Sequence, residues 1–151
     1  MKKLLFIALL VMTTGVFAQD KNASTVGENY TKKEVHIKMQ DGASLYTAIY
    51  TPKDQSKKYP IIMQRTPYSC APYGATEFKK SIGPSETMMN EGYIIVYQDV
   101  RGRWMSDGLY DNMRAFIPDK KTKTQVDEAS DTYDTIDWLV KNVANNNGNV
   151  G

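Results

Sequence analysis

The sequence predicts an α/β protein whose helices cover a mostly parallel sheet led in by an antiparallel hairpin, and three observations carry that prediction. Residues 34–39 and 44–51 alternate apolar and polar side chains on either side of an Asp41-Gly42 turn, the pattern of two half-buried strands in a hairpin. Residues 59–64 and 93–100 are short apolar runs without alternation, as strands buried on both faces require. Between residues 127 and 144, Tyr133, Ile136, Leu139, Val140 and Val143 recur at three- and four-residue steps, which predicts an amphipathic helix.

Taken in order, residues 1–18 read as a secretory signal peptide, with Lys2 and Lys3 as its positive start, an apolar stretch at 4–11 and Val16-Phe17-Ala18 before a cut after Ala18. The apolar stretch is short for a bilayer span, so a retained anchor is the weaker reading. Residues 19–29 are polar and read as a flexible leader, which leaves residues 30–151 as the domain, with order beginning near Tyr30. Residues 52–58 form a charged loop, and residues 65–85, rich in Pro, Gly, Ser and Tyr, a long one; long ordered loops are often functional. A short helix is predicted over 85–90, capped by Ser85 and closed by Glu91-Gly92. Residues 104–125 have no clean period and read as surface, with a turn at Gly108, a short extended piece at 114–117 and a basic loop at Lys120, Lys121 and Lys123. In the long helix Asp127 and Glu128 suit the N-terminus and Lys141 the C-terminus, while Asp131, Asp134 and Asp137 read with them as a solvated face. Asn149-Val150-Gly151 looks like the start of a further strand, cut within the element, which argues for a fragment.

Composition narrows the function. Removal of residues 1–18 lowers Lys plus Arg from 19 to 17 against 17 Asp plus Glu, so the mature chain is formally neutral and no nucleic-acid partner is suggested. Cys70 is the only cysteine and His36 the only histidine, in a strand-like run; Cys70 reads as an inert loop thiol, and no metal-ligand set is present. No cofactor is implied.

Two places stand at the ends of buried strands, where α/β sheets form their binding crevices. In Arg65-Thr66-Pro67-Tyr68, the proline sets the chain direction so that the Tyr68 phenol can be aimed over the sheet as a hydrogen-bond donor, although the pattern alone favours a tyrosine packing its ring on its own loop. In Asp99-Val100-Arg101-Gly102-Arg103, followed by Ser106, Asp107 and Gly108, an arginine either binds a substrate carboxylate or ties a loop to the sheet, and the tie is favoured.

The succession Met39-Gln40-Asp41-Gly42 with Leu45, Tyr59-Pro60, Arg65-Thr66-Pro67-Tyr68 and Gln98-Asp99-Val100-Arg101-Gly102-Arg103 with Ser106 and Gly108 resembles the bacterial alpha-amino acid ester hydrolases. Their relatives are the X-Pro dipeptidyl-peptidase and cocaine esterase group. Asp134-Thr135-Ile136-Asp137-Trp138-Leu139 running into Asn147-Gly148-Asn149-Val150-Gly151 strengthens the likeness, which covers nearly all of the mature chain. The resemblance implies the N-terminal part of an α/β-hydrolase fold, ending before a G-x-S-Y-x-G nucleophile elbow expected within about ten residues beyond Gly151. It implies that Tyr68 is an oxyanion-hole donor, and that nucleophile, acid and histidine lie outside these 151 residues. The implied partner is a small-molecule or peptide acyl substrate, with a homo-oligomer open for the full-length form and a secreted or periplasmic location. The rival reading is a non-enzymatic exported module that binds a ligand or partner through its tyrosine-rich loop. On the hydrolase reading, the chain by itself is expected to be inert.

Overall fold

The computed structural model describes residues 26–151. The expected signal peptide and the first part of the expected leader lie outside the described residues. Order begins earlier than Tyr30: residues 26–29 are helical, and Val26 is fully buried in the core.

Five strands form one sheet: β1 (Tyr30–Lys38), β2 (Ser44–Pro52), β3 (Tyr59–Thr66), β4 (Ile94–Asp99) and β5 (Asn146–Val150), in the spatial order β1-β2-β4-β3-β5. β1 pairs antiparallel with β2, in the predicted hairpin, and β2 antiparallel with β4. β4, β3 and β5 run parallel. β5 begins at Asn146, three residues before the expected strand, and Gly151 extends its pairing: its N–H donates to Ile61 O at 3.0 Å and its carbonyl accepts from Met63 N at 2.8 Å. The extended piece expected at 114–117 is absent; residues 100–127 hold no regular element.

Period-two alternation sorts the strands into two cores. Ile37, Leu45, Ile49, Ile61, Ile94 and Val96 point to one face and pack with Leu139. Tyr46, Ala48, Tyr50, Ile95 and Tyr97 point to the other and pack with Val26, Tyr30, Cys70 and Ile82. All six residues of β4 are buried, which is why its sequence shows no polar alternation.

Helix α1 (Glu86–Glu91) is capped as expected: Ser85 Oγ accepts from Met88 N, and Gly92 closes it with φ 85°. A Cβ at Gly92 would stand 2.6 Å from the Tyr59 ring, so close packing as well as the left-handed backbone selects glycine there. Helix α2 (Glu128–Asn142) starts with a capping box, in which Asp127 Oδ1 accepts from Ser130 N at 2.8 Å and Ser130 Oγ accepts from Asp127 N at 2.9 Å.

The orientation of α2 differs from the expected one. Its buried residues are Asp131, Thr135 and Leu139, whereas Tyr133 is 71% exposed and Val140 36%. Strand-end polar groups decide the rotation, because Arg101 and Gln98 need partners on the helix and find them in Asp131 and Thr135. Asp127 and Asp131 are therefore buried, not part of a solvated face.

Candidate active site

Tyr68 stands two residues past β3, at the C-terminal edge of the parallel strands, with its side chain 85% exposed. Its exposure contrasts with a backbone held at its N–H and at the preceding carbonyl. Thr66 Oγ1 accepts from Tyr68 N at 3.0 Å, and Pro67 O accepts from Trp104 Nε1 at 2.9 Å and from Arg103 Nε at 3.1 Å. The Arg103 guanidinium lies over the Tyr110 ring at 4.9 Å and the Trp104 ring at 5.9 Å, within the range of cation–π attraction.

The two residues that flank this junction carry backbone strain. Ser69 has φ 88° and Trp104 φ 51°, left-handed values that cost a non-glycine residue about 1 kcal/mol or more and persist only where neighbours enforce them. At Gly102, with φ 68°, a Cβ would stand 2.1 Å from Tyr110 N, so the loop after β4 folds back on itself only with glycine there.

Beneath the junction lies Asp99, the last residue of β4 and fully buried. Its Oδ1 accepts from Cys70 N at 2.8 Å, and its Oδ2 accepts from the Tyr73 hydroxyl at 2.9 Å and from Met105 N at 3.4 Å. Its backbone carbonyl accepts from Ser106 Oγ at 2.6 Å. The sequence marked Asp99 only as part of a strand-end motif, and Trp104 not at all; a tryptophan in a polar loop directly after Arg-Gly-Arg was the available signal.

Arg101 serves the fold. It grips Asp131 through Nε and Nη2 at 2.9 and 2.7 Å and Asp41 through Nη1 and Nη2 at 2.8 and 3.1 Å, tying the hairpin turn, β4 and α2 together. Burial alone would raise the Asp41 carboxyl, but the Arg101 guanidinium holds it below its ordinary value. Arg65 joins β4 to the same helix, donating to Gln98 Oε1 at 2.8 Å on the strand and to Glu128 Oε2 at 2.9 Å and Thr132 Oγ1 at 2.8 Å on the helix.

Cys70 is fully buried, and burial, with the Asp99 carboxylate beside it, pushes its thiol up, away from thiolate chemistry. His36 Nε2 is spent on Met105 O at 3.2 Å. Among the described residues, no group of His, Cys, Asp and Glu could hold a metal ion, and no helix is long and apolar enough to cross a membrane. A hollow of about 300 Å³ between Tyr30, Pro52, Tyr59 and Gly92 lies at the N-terminal ends of β3 and β4, the edge opposite Tyr68.

Known proteins share this fold. The structure of an alpha-amino acid ester hydrolase superposes with a TM-score of 0.69 at 36% identity, over 95% of this chain and 24% of that one. An aminopeptidase from the marine sediment archaeon Thaumarchaeota archaeon matches with a TM-score of 0.68 at 34% identity, over 95% of this chain and 23% of that one. The cocaine esterase of Rhodococcus sp. (strain MB1 Bresler) is 29% identical over 127 residues, 83% of this chain and 19% of the esterase. The chain thus spans about a fifth to a quarter of the length of these relatives, and its fold is that of the N-terminal domain of the ester hydrolase. With residues 41–151 matching its sequence pattern throughout, the chain belongs to the X-Pro dipeptidyl-peptidase (S15) family.

Proposed function

We propose that this chain is the N-terminal part of a secreted serine hydrolase that cleaves ester or amide bonds by acyl transfer, and that Tyr68 is a donor of its oxyanion hole. The carrying observation is the contrast at Tyr68, a phenol 85% exposed on a backbone pinned by Thr66, Trp104 and Arg103. A donor on a fixed backbone starts from a defined place when charge develops, and a donor in place before the reaction is what favours a transition state over the substrate.

The register of β5 supports the same reading. Gly151 lies between Ile61 and Met63 across the parallel ladder, so a few more residues in that direction run level with Thr66 and Tyr68. A serine on a sharp turn at that point would face the phenol from the neighbouring strand, about 5 Å away in the sheet. Its oxygen would attack the substrate carbonyl carbon and pass its proton to a histidine. The carbonyl oxygen, now an anion, would accept from Tyr68 and from a backbone N–H after the serine. Collapse would expel an alcohol or amine that takes the proton from the histidine, and water would release the acid from the acyl-serine.

In the full-length enzyme, Tyr68→Phe is expected to lower kcat on an amino acid ester by about 10²- to 10³-fold while KM changes little. An unchanged kcat would remove Tyr68 from the mechanism. The 151-residue chain alone is expected to show no hydrolysis above its own Tyr68→Phe variant. Export through residues 1–18 belongs to the same proposal, and N-terminal sequencing of the mature protein checks it: a start at Gln19 is expected, and a retained Met1 would refute it.

A further inference from the structure

We infer that Asp99 is a positioning residue for the Tyr68 hydroxyl: its buried carboxylate closes a ring of hydrogen bonds through both loops that flank the tyrosine. The inference rests on the reading of Tyr68 given above and adds to it the group that aims the phenol.

The ring can be followed atom by atom. From Asp99 Oδ1 it passes to the N–H of Cys70, two residues past Tyr68, and back along the chain to Pro67. Pro67 O accepts from Trp104 Nε1, and Met105, the next residue, returns its N–H to Asp99 Oδ2. Tyr68 lies inside this circuit, between Pro67 and Cys70. The Tyr73 hydroxyl, donating to Oδ2 at 2.9 Å and 2.9 Å from Ser69 Oγ, braces the left-handed Ser69 from below. On the far side Ser106 Oγ donates to Asp99 O at 2.6 Å and accepts from Tyr46 N at 2.9 Å, which anchors the ring to β2.

A carboxylate suits this place because every group aimed at it is a donor, and it is acceptor-only when ionised. Asparagine has nearly the same shape, but its amide NH₂ would face an N–H or O–H donor, so Asp99→Asn opens the ring with little change in volume. A purely stabilising carboxylate would break the fold when altered; a positioning one alters the reaction through Tyr68 and through nothing else.

The test is a double-mutant cycle in the full-length enzyme, with kcat and KM measured on an amino acid ester for the parent, Asp99→Asn, Tyr68→Phe and the double variant. Asp99→Asn is expected to lower kcat about 10- to 100-fold with KM nearly unchanged, the size of loss that a displacement of about 1 Å produces. In the Tyr68→Phe background the same change is expected to cost less than about twofold, because the group it positions is gone. Losses that multiply in the double variant, an unchanged kcat for Asp99→Asn, or an effect confined to KM would each overturn the inference. If Asp99→Asn does not fold, Tyr73→Phe removes one donor to the same carboxylate and enters the same cycle, with a smaller loss expected and the same non-additivity required. If Tyr68→Phe alone leaves kcat unchanged, the proposed function fails and this inference with it. A sensitive Tyr68 beside a multiplying Asp99 overturns the inference alone.

Discussion

On one face of the sheet the cover is helix α2, and on the other it is mostly the irregular chain between β3 and α1; the strands beneath carry different side chains in consequence. A helix satisfies its own backbone, so the face under α2 is mostly aliphatic, Ile37, Leu45, Ile49, Ile61, Ile94 and Val96 meeting Leu139, with polar pairing confined to Gln98, Thr47 and Thr135. An irregular loop brings backbone groups with no regular partner, and buried ones must be paired. The opposite face supplies the partners. Lys32 Nζ donates to the carbonyls of Pro72, Gly74 and Glu77 at 2.7, 2.9 and 2.8 Å. Glu34 Oε1 accepts from Gly74 N at 2.7 Å, the Tyr97 hydroxyl accepts from Gly83 N at 2.8 Å, and the Tyr30 hydroxyl donates to Met89 O at 2.7 Å. Asp99 is the member of this set nearest Tyr68. The tyrosines of this face thus have a packing reason, each ring filling the core while the Tyr97 hydroxyl serves the loop and the Tyr30 hydroxyl the end of α1.

If the loop-covered face depends on polar handles, removing one should cost most. Lys32→Met leaves three carbonyls without their donor and Glu34 without its cation, from a side chain that is fully buried. A loss of about 3 to 5 kcal/mol is expected in urea unfolding. Amide exchange should quicken at residues 72–77 while the amides of α2 stay protected. Uniform acceleration would mean the two faces are not separable. Leu139→Ala probes the helix-covered face, where a cavity is the only consequence: about 3 kcal/mol is expected, with the 72–77 amides unaffected below global unfolding.

The smallest effect concerns pH. Burial pushes the Tyr30 and Tyr50 hydroxyls up to about 12. A folded pKa above the unfolded value of about 10 means that the neutral phenols contribute stability below pH 10, and that this contribution is lost as pH rises through about 12. Tyr50→Phe should therefore flatten the fall of stability between about pH 10 and 12, and an unchanged alkaline profile would show that the tyrosine face does not set it.

Much of the fold was legible because it is periodic. Leu45, Thr47 and Ile49 alternate with Tyr46, Ala48 and Tyr50, and that alternation marked β2 as a half-buried hairpin strand, whereas both of its faces are buried. The helix was legible too, from Asp127 at its start and its apolar steps, but the face it turns inward was not. Asp131 and Thr135 share a stripe with Leu139, and reading them as buried requires knowing that Arg101 and Gln98 end beneath them. Asp99 was legible as the end of a buried strand, and Trp104 only as a residue in a loop without pattern.

By itself the sequence determined the five strands and the helices α1 and α2, their order, and that Tyr68 follows a buried strand through a proline, because periodicity and turn chemistry act between residues a few positions apart. Only the tertiary structure decided the rotation of α2, the path of the loop over Lys32 and the ring around Tyr68. Those depend largely on single polar pairs between residues far apart in the chain, such as Cys70 with Asp99, 29 positions, and Lys32 with Glu77, 45 positions, which leave no local pattern to read.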